Sequence, residues 1–238
     1  MIPMNDDKEK LKQTNEIKIA EPMLDTISIE GKNITADALL TQRGFANYVV
    51  KERKAHYFLT VKGNQTNLRE DIVFYFDNIS RLADYTEKEH GHGRYEVRSI
   101  WVTQDLKDYL DFPFVEQAFK IERRMTNKKT GKQTIETVYG ITSRSEDEID
   151  AQKILKVIRG HWSIENSCHY ILDWNYDEDR CRIRKGNGPE VISRIRRFAI
   201  GLIKSKNVRS VAQKMRELNR NTRSVFDYLR MTKNTQVA

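Results

Sequence analysis

The chain has 238 residues, 38% apolar and 32% charged, with 42 Lys and Arg against 34 Asp and Glu for a formal charge of +8. No apolar stretch approaches the roughly 18 residues of a membrane-spanning helix, and two cysteines, Cys168 and Cys181, cannot build a secreted disulfide scaffold. Met1 to Glu30 lacks the apolar run of a signal peptide, so a reducing cytoplasm is the expected compartment.

Residues 1–14 read as a polar, ragged start. Glu16 to Ile27 has a short helical pattern interrupted by Pro22. Lys32 to Ala36 reads as a strand ending at Asp37, Leu39 to Arg53 as a helix, and His56 to Lys62 as a β-rich run closed by Gly63-Asn64. Strand, helix and strand at this spacing make a βαβ unit with parallel strands. Asn67 to Ile79 is helical, with Leu68, Ile72, Phe76 and Ile79 in step. Residues 92–143 read as mainly antiparallel strands: Arg94 to Thr103 and Thr134 to Thr142 alternate, Ala118 to Thr126 is compatible with a strand, and 127–132 is a turn. From Glu146 onward the chain reads as helical, with Pro189 opening a helix and two shorter helices near Val208–Leu218 and Thr222–Met231.

Charge is unevenly placed. From Arg180 to Ala238, 16 Lys and Arg face three acids, an excess of +13, whereas the first 179 residues carry −5. Such a basic end suits a polyanion, and nucleic acid is the commonest one. Arg182, Arg184, Arg194, Arg196 and Arg197 are its candidate phosphate contacts, and the last three are expected to point away from the apolar face of their helix.

The helical stretch from Asp150 to Asp173 holds the sharpest signal. With Ala151 as the origin and about 100° per residue, Ile154, Leu155, Ile158 and Trp162 form one apolar stripe. Glu165 and His169 fall inside that stripe. An embedded carboxylate must be compensated by a metal, a basic partner or a cleft, or else the helix must expose it. Asp37, at the C-terminal end of a sheet strand, is the second candidate carboxylate, because clefts in α/β sheets open there. Together they suggest a split carboxylate site for a hard divalent cation that also binds phosphate oxygens.

Three stretches resemble the DDE transposases of bacterial insertion sequences, in the subgroup related to the H-repeat-associated proteins. They are Thr14-Asn15-Glu16-Ile17 followed by Ile34 to Ala38 and Gln42; Tyr57 to Gln65 continuing to Leu68 and Asp71; and His161 to Asn166 followed by His169-Tyr170, Leu172-Asp173, Glu178-Asp179 and Arg182 to Arg184. His92 to Arg98 also fits, and the likeness covers roughly 14–204 in the family's order.

The resemblance implies an α/β fold: a partial RNase H-like core over 15–80, a β-rich insertion over 81–145, a catalytic helix and basic helix over 146–205, and a basic helical tail over 206–238. It implies DNA transposition by metal-dependent strand cleavage and transfer, with Asp37 and Glu165 as the second and third metal-binding acids. The cofactor implied is Mg²⁺ or Mn²⁺, as two ions in a complete enzyme. The first acid is expected some tens of residues before Thr14, and Asp6 and Asp7 lack its Asp-Gly-Lys context. The first three core strands are expected to be missing too, which leaves an open strand edge and a chain inactive alone. Around Glu165, Ile158, His161 and Leu172 occupy the positions of the Tyr, Arg and Lys of wider relatives. Further expected DNA contacts are Lys62, Asn64, Arg94, Arg159, His161, Trp162 and Asn166. The partners implied are double-stranded DNA and, for the protein, a second copy or a full-length transposase in the nucleoid-containing cytoplasm, with no membrane. A non-catalytic DNA-binding remnant that occupies element ends is the alternative function, ahead of an interaction protein without DNA affinity.

Overall fold

A computed structural model of the protein describes residues 6–91, 93–164 and 170–231. The chain divides into two units, Met1–His161 and Trp162–Ala238.

In the first unit, Tyr57 to Val61 is one continuous buried run, the mark of a strand covered on both faces. This strand, β2 (His56–Val61), pairs in parallel with β1 (Asn33–Ala36), Ala36 opposite Leu59. The expected parallel pair is therefore present. β3 (Tyr85–Gly91), β4 (Arg94–Thr103), β5 (Gln117–Asn127) and β6 (Gln133–Thr142) form an antiparallel meander, and β6 returns beside β2. The result is one six-stranded sheet in the order β1-β2-β6-β5-β4-β3. The strands of 81–145 thus extend the sheet of the βαβ unit.

Among the described residues, four helices accompany the sheet: α1 (Asp6–Asp25), α2 (Arg43–Asn47), α3 (Thr66–Asp77) and α4 (Ala151–Ile164). Tyr57, Leu59 and Val61 share a core with Phe45, Ala46 and Val49 and with Leu68, Ile72 and Phe76 of α3. Ile154, Leu155 and Ile158 of α4 are also fully buried. Helix α1 runs through Pro22, which is exposed, so the carbonyl that loses its donor can face water. The helix expected over 39–53 is broken: a 3₁₀ turn at Ala38–Leu40 precedes α2, and a wide π-type turn at Tyr48–Glu52 follows it. The break has a cause, because the Thr41 hydroxyl donates to the Thr60 carbonyl on β2 at 2.7 Å and leaves the helical path.

Helix α4 touches both edges of the sheet. Arg159 pairs with Glu87 and Glu89 on β3, and His161 Nδ1 lies 3.2 Å from the Thr35 hydroxyl on β1. A flat sheet would hold these edge strands about 24 Å apart, whereas a helix with its side chains is about 10–12 Å across. The sheet must therefore curl around α4.

Polar groups line the β3 side of that contact. Arg98, nearly buried on β4, pairs with Glu96 and with Glu89 at 2.7 Å, and Arg123 on β5 joins Glu96 to Glu136 on β6. Hydrogen bonds from Arg98 first, and then Arg159, hold the Glu89 carboxyl at about 2 against an ordinary 4.5. A depressed carboxyl stabilises the fold above its unfolded value and loses that contribution as pH falls through its folded one. Glu89→Gln should therefore lower the melting temperature at neutral pH, and the gap from wild type should close between pH 4.5 and about 2. A gap independent of pH would remove Glu89 from the acid response.

The second unit contains α5 (Tyr170–Tyr176), α6 (Gly188–Lys204), α7 (Val211–Arg220) and α8 (Thr222–Tyr228). Ser210 caps α7 by accepting from the Gln213 amide, and Asn221 caps α8 by accepting from Ser224. The Tyr228 hydroxyl donates to the Ile203 carbonyl at 3.2 Å and ties α8 to the end of α6. On α6 the apolar face is expected at Val191, Ile192, Ile195, Phe198, Ala199, Leu202 and Ile203, and it is buried only in part. Ile200 and Ile203 are buried, while Val191, Ile195 and Phe198 are exposed. Among the described residues, no helix is long and apolar enough to cross a membrane.

Candidate metal and nucleic-acid site

Two parallel strands end side by side, and the segments after them interlock. Asp37 follows β1 in an extended conformation and caps the next turn, its Oδ1 accepting from the Ala38 amide at 2.6 Å. From beyond β2, the Asn64 amide donates to the Ala38 carbonyl at 2.5 Å and Gln65 to the Thr41 carbonyl at 2.8 Å. These two bonds, with the one from Thr41 to β2, fix the turn that presents Asp37. Lys62 Nζ lies 3.3 Å from Asp37 Oδ1, and both side chains are 67% exposed. An exposed pair of this kind is weakly held and screened. The second carboxylate oxygen of Asp37 has no partner among the described residues.

Among the described residues, no three His, Cys, Asp or Glu side chains cluster as a ready metal cage. What is present is one accessible carboxylate with a spare oxygen at the end of a parallel strand pair. That suits Mg²⁺, which takes one or two carboxylates and fills its remaining positions with water and substrate phosphate. Among the described residues Asp37 supplies one ligand of such an ion, and Lys62 must give way for it.

His161 approaches this corner from α4, since its partner Thr35 stands two residues before Asp37. Glu165 and Asn166 lie outside the described residues, and so does the side chain of Trp162. Arg159 is engaged by Glu87 and Glu89, so its guanidinium spans to β3. Asn64 donates its amide to the backbone, which makes it a support for Asp37. Arg94 is exposed at the start of β4, with Met125 Sδ at 3.9 Å.

In the second unit, Arg182 and Arg184 are exposed in the stretch before α6. Arg194 is exposed beside Glu190, and Arg197 is exposed. Arg196 differs from expectation: its side chain is only 14% exposed, with Glu178 Oε1 at 3.9 Å. The reason is helical phase. Residue 196 stands four before Ile200 and seven before Ile203, on the buried stripe. Thr35, Thr41 and Gln65 also support the site, and sequence reasoning misses them. Thr35 lies within β1, and Thr41 and Gln65 lie in the segments that follow β1 and β2, where polar residues are common.

A family model described as "Transposase DDE domain" matches residues 5–202. The chain's relatives include several from Escherichia coli. "Putative transposase YncI" of strain O157:H7 is 31% identical over 86% of this chain and 54% of its own length. "Putative protein YbfL" of strain K12 is 33% identical over 83% and 54%. "H repeat-associated putative transposase YhhI" of strain K12 is 32% identical over 82% and 53%. The chain spans about half the length of the curated relatives it matches.

Proposed function

The chain belongs to the DDE transposase family of the H-repeat group, and on that premise we propose that it serves DNA transposition through a divalent-metal site to which Asp37 and Glu165 contribute carboxylates. The reaction is cleavage and strand transfer of DNA, with water or a 3′-hydroxyl as the nucleophile, on an RNase H-like core. Asp37 and Glu165 would hold Mg²⁺ or Mn²⁺, which when bound would supply Lewis acidity to the phosphoryl oxygens. The protein's part is to present Asp37 on a turn fixed by Asn64 and Gln65, and to bring DNA phosphates to it. Double-stranded DNA is the partner, which puts the protein at the nucleoid, and a second copy or a full-length transposase is the protein partner.

One observation carries this reading: the His161–Thr35 contact at 3.2 Å. It brings His161 of α4 onto β1, whose next turn holds Asp37. The basic end supports the DNA partner, with Arg182, Arg184, Arg194 and Arg197 exposed to meet phosphate. A second reading, DNA occupancy without chemistry, is favoured by the Lys62 ammonium beside Asp37. Manganese binding separates the two, since only the first requires it.

The DNA surface has its own test. Converting Arg194 and Arg197 to Glu should flatten the dependence of duplex binding on salt by about two in log–log slope, one for each phosphate ligand removed. Arg196 is left intact because it is packed inside. An unchanged slope would remove α6 from the interface.

A further inference from the structure

The sheet ends in a basic tip that the site above does not use. The β3–β4 turn and the β5–β6 turn emerge at the same end of the sheet, since Arg94 pairs with Gly91 on one side and with Asn127 on the other. The Lys128 amide donates to the Gly93 carbonyl at 2.9 Å and fastens one turn to the other. The longer turn is itself ordered. Asn127 Oδ1 accepts from the Lys129 and Thr130 amides, Asn127 N donates to the Lys132 carbonyl, and Gly131 takes the left-handed φ of +69° that closes it.

Between the two turns lies an open cavity of about 410 Å³, lined by Gly93, Arg94, Met125, Asn127, Thr130, Lys132 and Thr134. Lys128 and Lys129 stand exposed beside it. Among the described residues, none of Arg94, Lys128, Lys129 and Lys132 has a carboxylate partner. The acids of the neighbouring strands are already committed, Glu96 and Glu136 to Arg123, and Glu89 to Arg98 and Arg159. Four positive charges are thus left uncompensated around one concavity that also offers the Thr130 and Thr134 hydroxyls. Uncompensated cations with hydroxyls and ordered backbone are what a phosphodiester recognises.

We propose that this double-hairpin tip is a second contact surface for the backbone of duplex DNA, separate from the basic helical end, with Arg94, Lys128, Lys129 and Lys132 as its phosphate ligands. It rests on the DNA-binding reading above and adds a surface to it. A backbone contact carries no sequence information, so the tip grips flanking or target DNA of any sequence.

The test is a salt titration of the full chain on a short random-sequence duplex. Replacing Lys128, Lys129 and Lys132 together by Ala should reduce the log–log slope by about two to three and weaken binding at least tenfold at low salt. Arg in the same three positions should restore both. A wild-type slope in the Ala variant, with duplex binding intact, overturns the proposal and leaves the DNA reading standing. No binding of duplex by the wild-type chain overturns both. If the Ala variant does not fold, a photo-reactive group on Thr130→Cys decides: crosslinking of the duplex supports the tip, and its absence, while a group on Arg194→Cys does crosslink, rejects it.

Discussion

Replacing Asp37 by Asn should abolish measurable Mn²⁺ binding by the chain, and should lower metal-dependent cleavage of element-end DNA about a thousandfold where a full-length transposase subunit complements the assay. Asn is the informative substitution. Its side-chain oxygen can still accept from the Ala38 amide as Asp37 Oδ1 does at 2.6 Å, so the cap and the turn survive. What disappears is the negative charge that a hard cation requires. Duplex affinity should stay near wild type, because an exposed acid facing DNA is no phosphate ligand. The melting temperature should move little, since Asp37 and its ion-pair partner Lys62 are both solvent-exposed. Unchanged Mn²⁺ affinity in Asp37→Asn would overturn the metal reading.

The second large effect is on the fold. Gly140→Ala should destabilise the first unit by about 3 kcal/mol and lower its melting temperature by roughly 6–12 °C. Gly140 lies on β6, with Thr60 of β2 on one side and Phe119 of β5 on the other. A Cβ there would stand within 2.7 Å of the Leu59 carbonyl and closer still to the Phe119 ring. Phe119 is fully buried and its ring has nowhere to go. Adding Phe119→Leu should recover part of the loss but not all, because the carbonyl of Leu59 does not move with the ring. A variant that melts with the wild type would mean that the sheet around β6 is looser than its packing.

How much of this is legible in the sequence depends on what holds each element. β2 announces itself through an unbroken apolar run, and β4 through alternation, because apolar area drives both. β3 is invisible: its residues are polar because they serve Arg98 and Arg159, and ion pairing leaves no periodicity. The break after Asp37 is also hidden, since it depends on Thr41 reaching the Thr60 carbonyl across the sheet. The site is readable in part. The place of Asp37 just after a strand can be read from the run Ile34–Ala36, but the hydrogen bond from the Asn64 amide that holds its turn cannot. Arg196 is expected outside, yet burial on α6 runs through 196, 200 and 203, while 191, 195 and 198 are exposed. Glu165 rests on sequence pattern and lies outside the described residues.

Iron-mediated cleavage of the polypeptide tests the metal site most directly, for it needs neither DNA ends nor turnover. Fe²⁺ substituted for Mg²⁺, with ascorbate and peroxide, cuts the backbone beside the bound ion. A metal held by these carboxylates gives cuts flanking residue 37 and residue 165, competed away by Mg²⁺ and lost in Asp37→Asn. Cuts confined to other segments, or cuts at 37 that persist in that variant, would contradict it.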